Sequence, residues 1–168
     1  MKGRRTEGGR RPIERLVSAG GVVYRRSDHQ VQVLVCGRKD PPLWALPKGT
    51  PNSGESIEQT AQREVTEETG VQVRIVEKLG SIRYWFSRPD GVRCHKVVHH
   101  FLMEPVGGDP SLHDIEFDTV AWFPVEEALR LLTYPNELAV LERAVAAITA
   151  RSGTGPATRD PAELGRRG

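Results

Sequence analysis

The stretch GTPNSGESIEQTAQREVTEETGV, residues 49–71, decides how this 168-residue chain folds and what chemistry it can carry. Within it Glu64, Glu67 and Glu68 stand at i, i+3 and i+4. A helix turns about 100° per residue, so the three carboxylates share an arc of about 100° on one face. Like charges at this spacing repel and weaken a helix unless something cationic lies among them. The acidic face therefore calls for a bound cation, and its hard oxygen donors suit magnesium, with manganese the alternative, rather than zinc.

The same stretch carries its own punctuation. Ser56 is placed as an N-cap with Gln59 three residues on, Gly54 lets the preceding loop turn, and Gly70 is placed to end the helix in the left-handed conformation. Ile57, Ala61 and Val65 form an apolar stripe beside the acidic one. One side of the helix can dock on a core while the adjoining side offers carboxylates.

Working outward, strands and helices alternate. LVSAGGVVYRR (16–26) and VQVLVCGR (31–38) are β-branched runs split by a polar turn and predict a hairpin. PPLWALPKG (41–49) is too rich in proline for a strand interior and reads as an ordered loop. After the helix come an extended region from Val71 to Phe86, a turn around SRPDG, a strand from Arg93 to Met103 and another at FDTVAWFP (117–124). VEEALRLL begins a helix that Pro135 interrupts, and ELAVLERAVAAI (137–148) supplies the last one. This order predicts an α/β fold with a mixed sheet between helices.

The length suits one domain, expected over residues 16–150. Residues 1–15 hold six Lys or Arg against two Glu, and residues 151–168 hold four Arg against two acids. These ends account for the overall charge of +2, because the remainder has 14 basic residues against 18 acidic. Both ends are too poor in apolar residues to offset the entropy of ordering and read as disordered arms. Their charge admits contact with nucleic acid, although a solubilising role is the commoner outcome. No apolar run approaches a membrane span or a signal peptide, and Cys36 and Cys94 lack metal-type spacing. A cytoplasmic protein with free thiols is the expectation.

The pattern at residues 49–71 resembles the signature of the Nudix hydrolases, G-x5-E-x7-R-E-U-x-E-E-x-G-U, where U is aliphatic. It matches at Gly49, Glu55, Arg63, Glu64, Val65, Glu67, Glu68, Gly70 and Val71. A chance match at one start has a probability on the order of 10⁻¹⁰. The flanking phrases WALPKG, HHFLMEP and AWFPVEEALRLL make residues 16–148 look most like the diadenosine polyphosphate hydrolase branch. The resemblance implies an α/β/α sandwich and a metal-dependent hydrolase that cleaves a phosphoanhydride in a nucleoside diphosphate linked to another group. It implies Glu64, Glu67 and Glu68 as metal ligands, with Glu55 completing the shell through water and the Gly49 carbonyl contributing. Arg63 is expected to hold a carboxylate, and Glu64, Glu67 or Glu116 to take part in catalysis, with Glu116 at the family's loop position for a general base.

Substrate contacts are expected from Lys48, Arg83 and Lys96 to phosphates and from Tyr84 and Phe86 to a base, with Trp85 and Tyr134 as further aromatic candidates. The tyrosine that dinucleoside tetraphosphate hydrolases carry past the signature would fall near Ser87. His99 and His100 project to opposite faces of a strand and cannot chelate one ion together. Three readings stand open: a dinucleoside polyphosphate hydrolase; a Nudix pyrophosphatase for a modified nucleoside triphosphate, diphosphoinositol polyphosphate, nucleotide sugar or RNA 5′ end; and a nucleotide sensor without turnover. Oligomeric state is left open.

Overall fold

A computed structural model of the chain describes residues 12–153. Strand β1 (Ile13–Ser27) turns through Asp28 and His29, both at positive φ, into β2 (Gln30–Arg38), the expected hairpin. Two short strands follow, β3 (Leu43–Ala45) and β4 (Lys48–Gly49), and then helix α1 (Ile57–Thr69). The long strands β5 (Val71–Ser87) and β6 (Arg93–Gly108) pair antiparallel along their whole length, with three register shifts between Gln72 and Gly80. A 3₁₀ turn at Pro110–Leu112, strand β7 (Thr119–Pro124) and helices α2 (Val125–Leu131) and α3 (Pro135–Gly153) complete the chain.

The sheet order is β3-β2-β1-β6-β5, with β7 on β2 and β4 on β1. Among the described strands only β1 and β6 run parallel, so the sheet is mixed as expected. Alternation along the strands divides the core. Ala19, Val23, Phe101 and Met103 pack under Ala61 and Val65 of α1, whereas Val22, Val98 and Leu102 face Ala128 of α2 and Val140, Leu141 and Ala144 of α3. Burying each large aliphatic side chain contributes roughly 1.5–3 kcal/mol, and both faces of the sheet are filled in this way. The result is an α/β/α sandwich.

Four differences from the sequence expectation exceed two residues. The segment 41–49 forms β3 and β4 instead of a loop, because its prolines fall outside the paired residues: Cys36 pairs with Ala45, and Ala19 and Gly20 pair with Gly49 and Lys48. Strand β1 begins at Ile13, inside the expected arm, because Ile13, Glu14 and Arg15 have a ready partner in Arg93, Cys94 and His95. Strand β6 continues to Gly108, past the expected Met103, held by the register of β5. Helix α3 runs to Gly153, past the expected end at Ile148 and into the expected tail. The rest of the expected arms, residues 1–11 and 154–168, lies outside the described residues.

Helix α1 is delimited by the signals read from its sequence. The Ser56 hydroxyl accepts from the Gln59 N–H at 3.1 Å and the Ser56 N–H donates to Gln59 Oε1 at 2.9 Å, a complete capping box. Gly70 ends the helix at φ 74°, its N–H donating to the Thr66 carbonyl. A Cβ there would also overlap the Asp109 carbonyl and the backbone of Leu112. Gly70→Ala is therefore expected to cost at least about 1–3 kcal/mol, from left-handed strain alone, in urea unfolding followed by circular dichroism. A loss under about 0.5 kcal/mol would show that the helix end has freedom to shift.

Candidate active site

Strand β1 serves two partners. It pairs with β6 up to Val23 and with β2 from Tyr24, and in the fork between them β4 lies against Ala19 and Gly20. The Gly21 N–H donates to the Pro47 carbonyl at 3.2 Å, which pins the segment Pro47–Gly49 beneath α1. Gly49 then faces Glu64 so closely that a Cβ would overlap its carboxyl group. The glycine of the signature is thus a steric requirement of the neighbouring glutamate.

On α1 the like charges are gathered by Arg63. Its Nε and Nη2 donate to Glu55 Oε2 and Oε1 at 2.7 and 2.9 Å, and Nη1 donates to Glu64 Oε1 at 2.9 Å and Glu67 Oε2 at 3.2 Å. Nη2 also donates to the Thr50 carbonyl at 3.0 Å. This bidentate pairing drops the Glu55 carboxyl to about 2, aided by the Thr60 hydroxyl and the Asn52 N–H. Both oxygens of Glu55 are thereby occupied by a fixed cation. The arrangement has Arg63 holding carboxylates in place, and it sets Glu55 behind the arginine rather than in the open.

Glu68 is different. It is only 2% exposed, and its Oε2 accepts from the Lys48 N–H at 3.1 Å. Burial, followed by the charges of Glu116 and Glu64, pushes its carboxyl up to about 9, against the pull of the Lys48 N–H. Burial also raises Glu64, with Glu67 and Glu116 adding to the rise and Arg63 opposing it. Glu116 thus faces both helix carboxylates although it belongs to the loop before β7. That loop is tied to the helix by the Asp114 N–H, which donates to the Glu67 carbonyl at 3.0 Å, and the Glu116 N–H donates back to Asp114 Oδ1 at 3.0 Å.

The donor set Glu64, Glu68 and Glu116 consists of hard oxygens, and burial with neighbouring negative charge raises the proton affinities of Glu64 and Glu68, the environment that a divalent cation relieves. Glu67 stands apart from it, with a half-exposed side chain paired to Arg63. Among the described residues no three acidic, histidine or cysteine side chains form a ready-made metal cage. The reason is local, since Arg63 already draws Glu64 and Glu67 toward itself.

Beside Glu68 opens a cavity of about 510 Å³. Lys48, Glu68, Tyr84 and Glu116 line it, as does Tyr134, so these sequence candidates are brought together. Arg83 is not among them. Alternation along β5 turns it to the opposite face of the sheet from Ile82 and Tyr84, and it is exposed there. Phe86 shares the face of Tyr84, 6.1 Å from its ring, but lies outside the cavity. Lys96 pairs across the strands with Tyr84, half-buried and also outside the cavity lining, and burial together with the charge of Lys48 lowers its pKa.

Sequence reasoning missed Arg38, Asn136 and Glu137, which also line the cavity. Glu137 is 1% exposed; its Oε2 accepts from the Leu46 N–H at 2.9 Å, while its Oε1 has no partner among the described residues. In the sequence it looks like an ordinary acid in the first turn of a helix. The one available signal was its place directly after Pro135 and Asn136, at the start of an otherwise apolar helix face.

The model of the NUDIX domain family matches residues 14–144. This chain belongs to the Nudix family. Its curated relatives include a putative mutator protein MutT4 of Mycobacterium tuberculosis, 43% identical over 150 residues, which cover 86% of this chain and 60% of the relative. An 8-oxo-(d)GTP phosphatase of Mycolicibacterium smegmatis is 36% identical over 137 residues, covering 76% of this chain and 41% of the relative. The chain thus spans less than two thirds of these relatives' length. Among solved structures, the Caenorhabditis elegans Ap4A hydrolase superposes with a TM-score of 0.63 at 23% identity over 80% of this chain and 98% of the other, a likeness of fold. The Nudix enzymes are hydrolases of nucleotide-type pyrophosphates and generally use a divalent metal. None of the described helices is long and apolar enough to cross a membrane.

Burial lifts the Glu137 carboxyl from its ordinary 4.5 to about 7, with Lys48 and the Leu46 N–H pulling the other way. Between these values the folded protein keeps a proton that the unfolded chain has released, so this group's contribution to stability is full below pH 4.5 and is lost as pH rises through 7. Urea unfolding across this range is expected to show Glu137→Gln gaining on the wild type by up to about 1.4 kcal/mol per pH unit. A difference that stays flat with pH would contradict a proton-holding carboxyl.

Proposed function

We propose that this Nudix enzyme hydrolyses a phosphoanhydride of a purine nucleoside triphosphate with an altered base, the base seated in the cavity and the phosphates running past Lys48 toward Glu64 and Glu68. The observation that carries the reading is the unpartnered Oε1 of buried Glu137 beside Asn136 in that cavity. A buried polar atom without a partner costs about 1–3 kcal/mol, so it favours a ligand group that completes it. Ionised, it accepts from a ring N–H; protonated, it donates to a carbonyl. An 8-oxo purine presents an N–H at position 7 and a carbonyl at position 8, where an ordinary purine has a bare acceptor and a C–H. Two relatives whose names refer to mutator or 8-oxo-(d)GTP activity point the same way.

Each residue then has a task. Tyr84 and Tyr134 flank the base, where stacking contributes about 1–3 kcal/mol. Lys48 and Arg38 meet phosphate oxygens, and Lys96 meets the outer ones. Glu64, Glu68 and Glu116 would hold magnesium, with the Gly49 carbonyl and, through water, Glu55 completing the shell; the ion supplies charge neutralisation on the phosphoryl oxygens and a more acidic water. Glu116 accepts the proton as the water oxygen bonds to phosphorus and the bridging P–O bond breaks. Arg63 fixes the helix carboxylates throughout.

Phe86, exposed next to Tyr84, favours a second reading, a dinucleoside polyphosphate whose far base stacks outside the cavity. Incubation with magnesium and a panel of normal and 8-oxo nucleoside triphosphates, diadenosine polyphosphates and triphosphate-ended RNA separates the two. Preference for 8-oxo triphosphates, lost on Glu137→Ala largely through KM, is the expected result. Preference for diadenosine chains promotes the second reading. Glu116→Gln is expected to lower kcat about 10²–10⁴-fold, and full turnover would remove it from the mechanism.

A further inference from the structure

The strands that line the cavity on one face present something else on the other. Cross-strand register places Arg15 beside His95 and His95 beside Trp85, with Ile13 and Arg93 in the next row toward the sheet end and Val17 and Arg83 in the row behind. All of these project on the side of the sheet that carries α1, away from Ile82 and Tyr84. Helix α1 covers this side over Ala19, Val23, Phe101 and Met103, and Ile57 at its start closes a small hollow with Ser81 and His99, so the rows toward the sheet end lie beyond the helix. Trp85 is 51% exposed there, and Ile13 and Val17 are exposed as well.

The charge on this face has one sign. Arg15, Arg83 and Arg93 are exposed, and among the described residues none of them makes an ion pair. Arg93 instead lies over the Trp85 ring at 4.6 Å, and His95 packs against the same indole with ring centroids 4.6 Å apart. The acids at this end of the sheet, Glu14 and Asp90, are both taken by Arg88. The eleven residues that precede Pro12 in sequence add five Lys or Arg against one Glu, and they join the chain at this end of β1.

We propose that this face is a binding surface for single-stranded nucleic acid, separate from the catalytic cavity. The arginines supply phosphate contacts at rigid strand positions, and Trp85, already oriented by His95 and Arg93, supplies a platform for an unstacked base. A second copy of the chain fits less well, because a two-fold contact through this face would set arginines against arginines. The proposal does not depend on which pyrophosphate the cavity takes.

The test uses the full chain and fluorescein-labelled oligonucleotides of about 12 nucleotides, single-stranded RNA and single-stranded DNA, with anisotropy read from about 50 to 200 mM salt. Expected is binding whose log K falls against log salt with a slope of about −2 or steeper, as three neutralised phosphates require. Binding of either strand supports the proposal, and the tighter of the two names the source. Trp85→Ala should weaken binding about 5- to 100-fold with the slope retained. Arg15→Glu with Arg93→Glu should weaken it at least about 10-fold and flatten the slope, in a protein whose thermal unfolding is unchanged. Equal binding by these variants, displacement of the oligonucleotide by a saturating non-hydrolysable nucleoside triphosphate, or equal affinity for a duplex would each overturn it. So would a concentration-dependent dimer abolished by Trp85→Ala, which would give the face to a second copy.

Discussion

The guanidinium of Arg63 donates at once to Glu55, Glu64, Glu67 and the Thr50 carbonyl, and the rest of the site is arranged around that cluster. Five acids sit on or just before one short helix, a distribution that repulsion alone would disfavour. Arg63 neutralises part of the charge, fixes the loop before the helix through Glu55, and draws Glu64 over the bare Cα of Gly49. Glu68, on the buried side, receives no such cation. Its raised proton affinity, with Glu64 and Glu116 close by, marks the remaining unbalanced charge and hence the place where a divalent cation is stabilising.

A second constraint comes from the sheet. Strand β1 leaves β6 for β2, and the fork admits β4, which carries Lys48 and Gly49 beneath α1. The Trp44–Leu46 segment is held from the other side: the Trp44 N–H donates to the Thr133 hydroxyl at 2.8 Å, and the Leu46 N–H to Glu137. These bonds close the cavity between the signature helix and the start of α3. The same long strands β5 and β6 form its wall with one set of side chains and a basic aromatic surface with the other. Period-two alternation keeps the two apart on opposite faces.

Much of this was legible because it is local. The capping box at Ser56 and Gln59, the left-handed Gly70, the hairpin at Ser27–Gln30 and the break before Pro135 each depend on neighbours within a few residues. Partner-dependent features were not legible. Pro41, Pro42 and Pro47 made residues 41–49 look like a loop, yet the residues between them and after Pro47 pair because β2 and β1 offer free edges there. Arg83 was expected at the phosphates, yet the strand turns it to the face opposite Tyr84 and the cavity. Glu137 was hidden because a first-turn glutamate is ordinarily solvated, and its burial follows only from the docking of α3 on the sheet, where the Leu46 N–H reaches it.

The sequence by itself determined the helix, its caps, the acidic face, the need for a counter-charge and membership of the Nudix class, since each rests on spacing along a single element. Tertiary structure decided which carboxylates are free. Arg63 claims Glu55, Glu64 and Glu67, whereas Glu116 arrives from a loop almost fifty residues away in sequence to face Glu68. It also decided what lines the cavity. Burial and pairing are properties of distances between segments, and local spacing does not encode them.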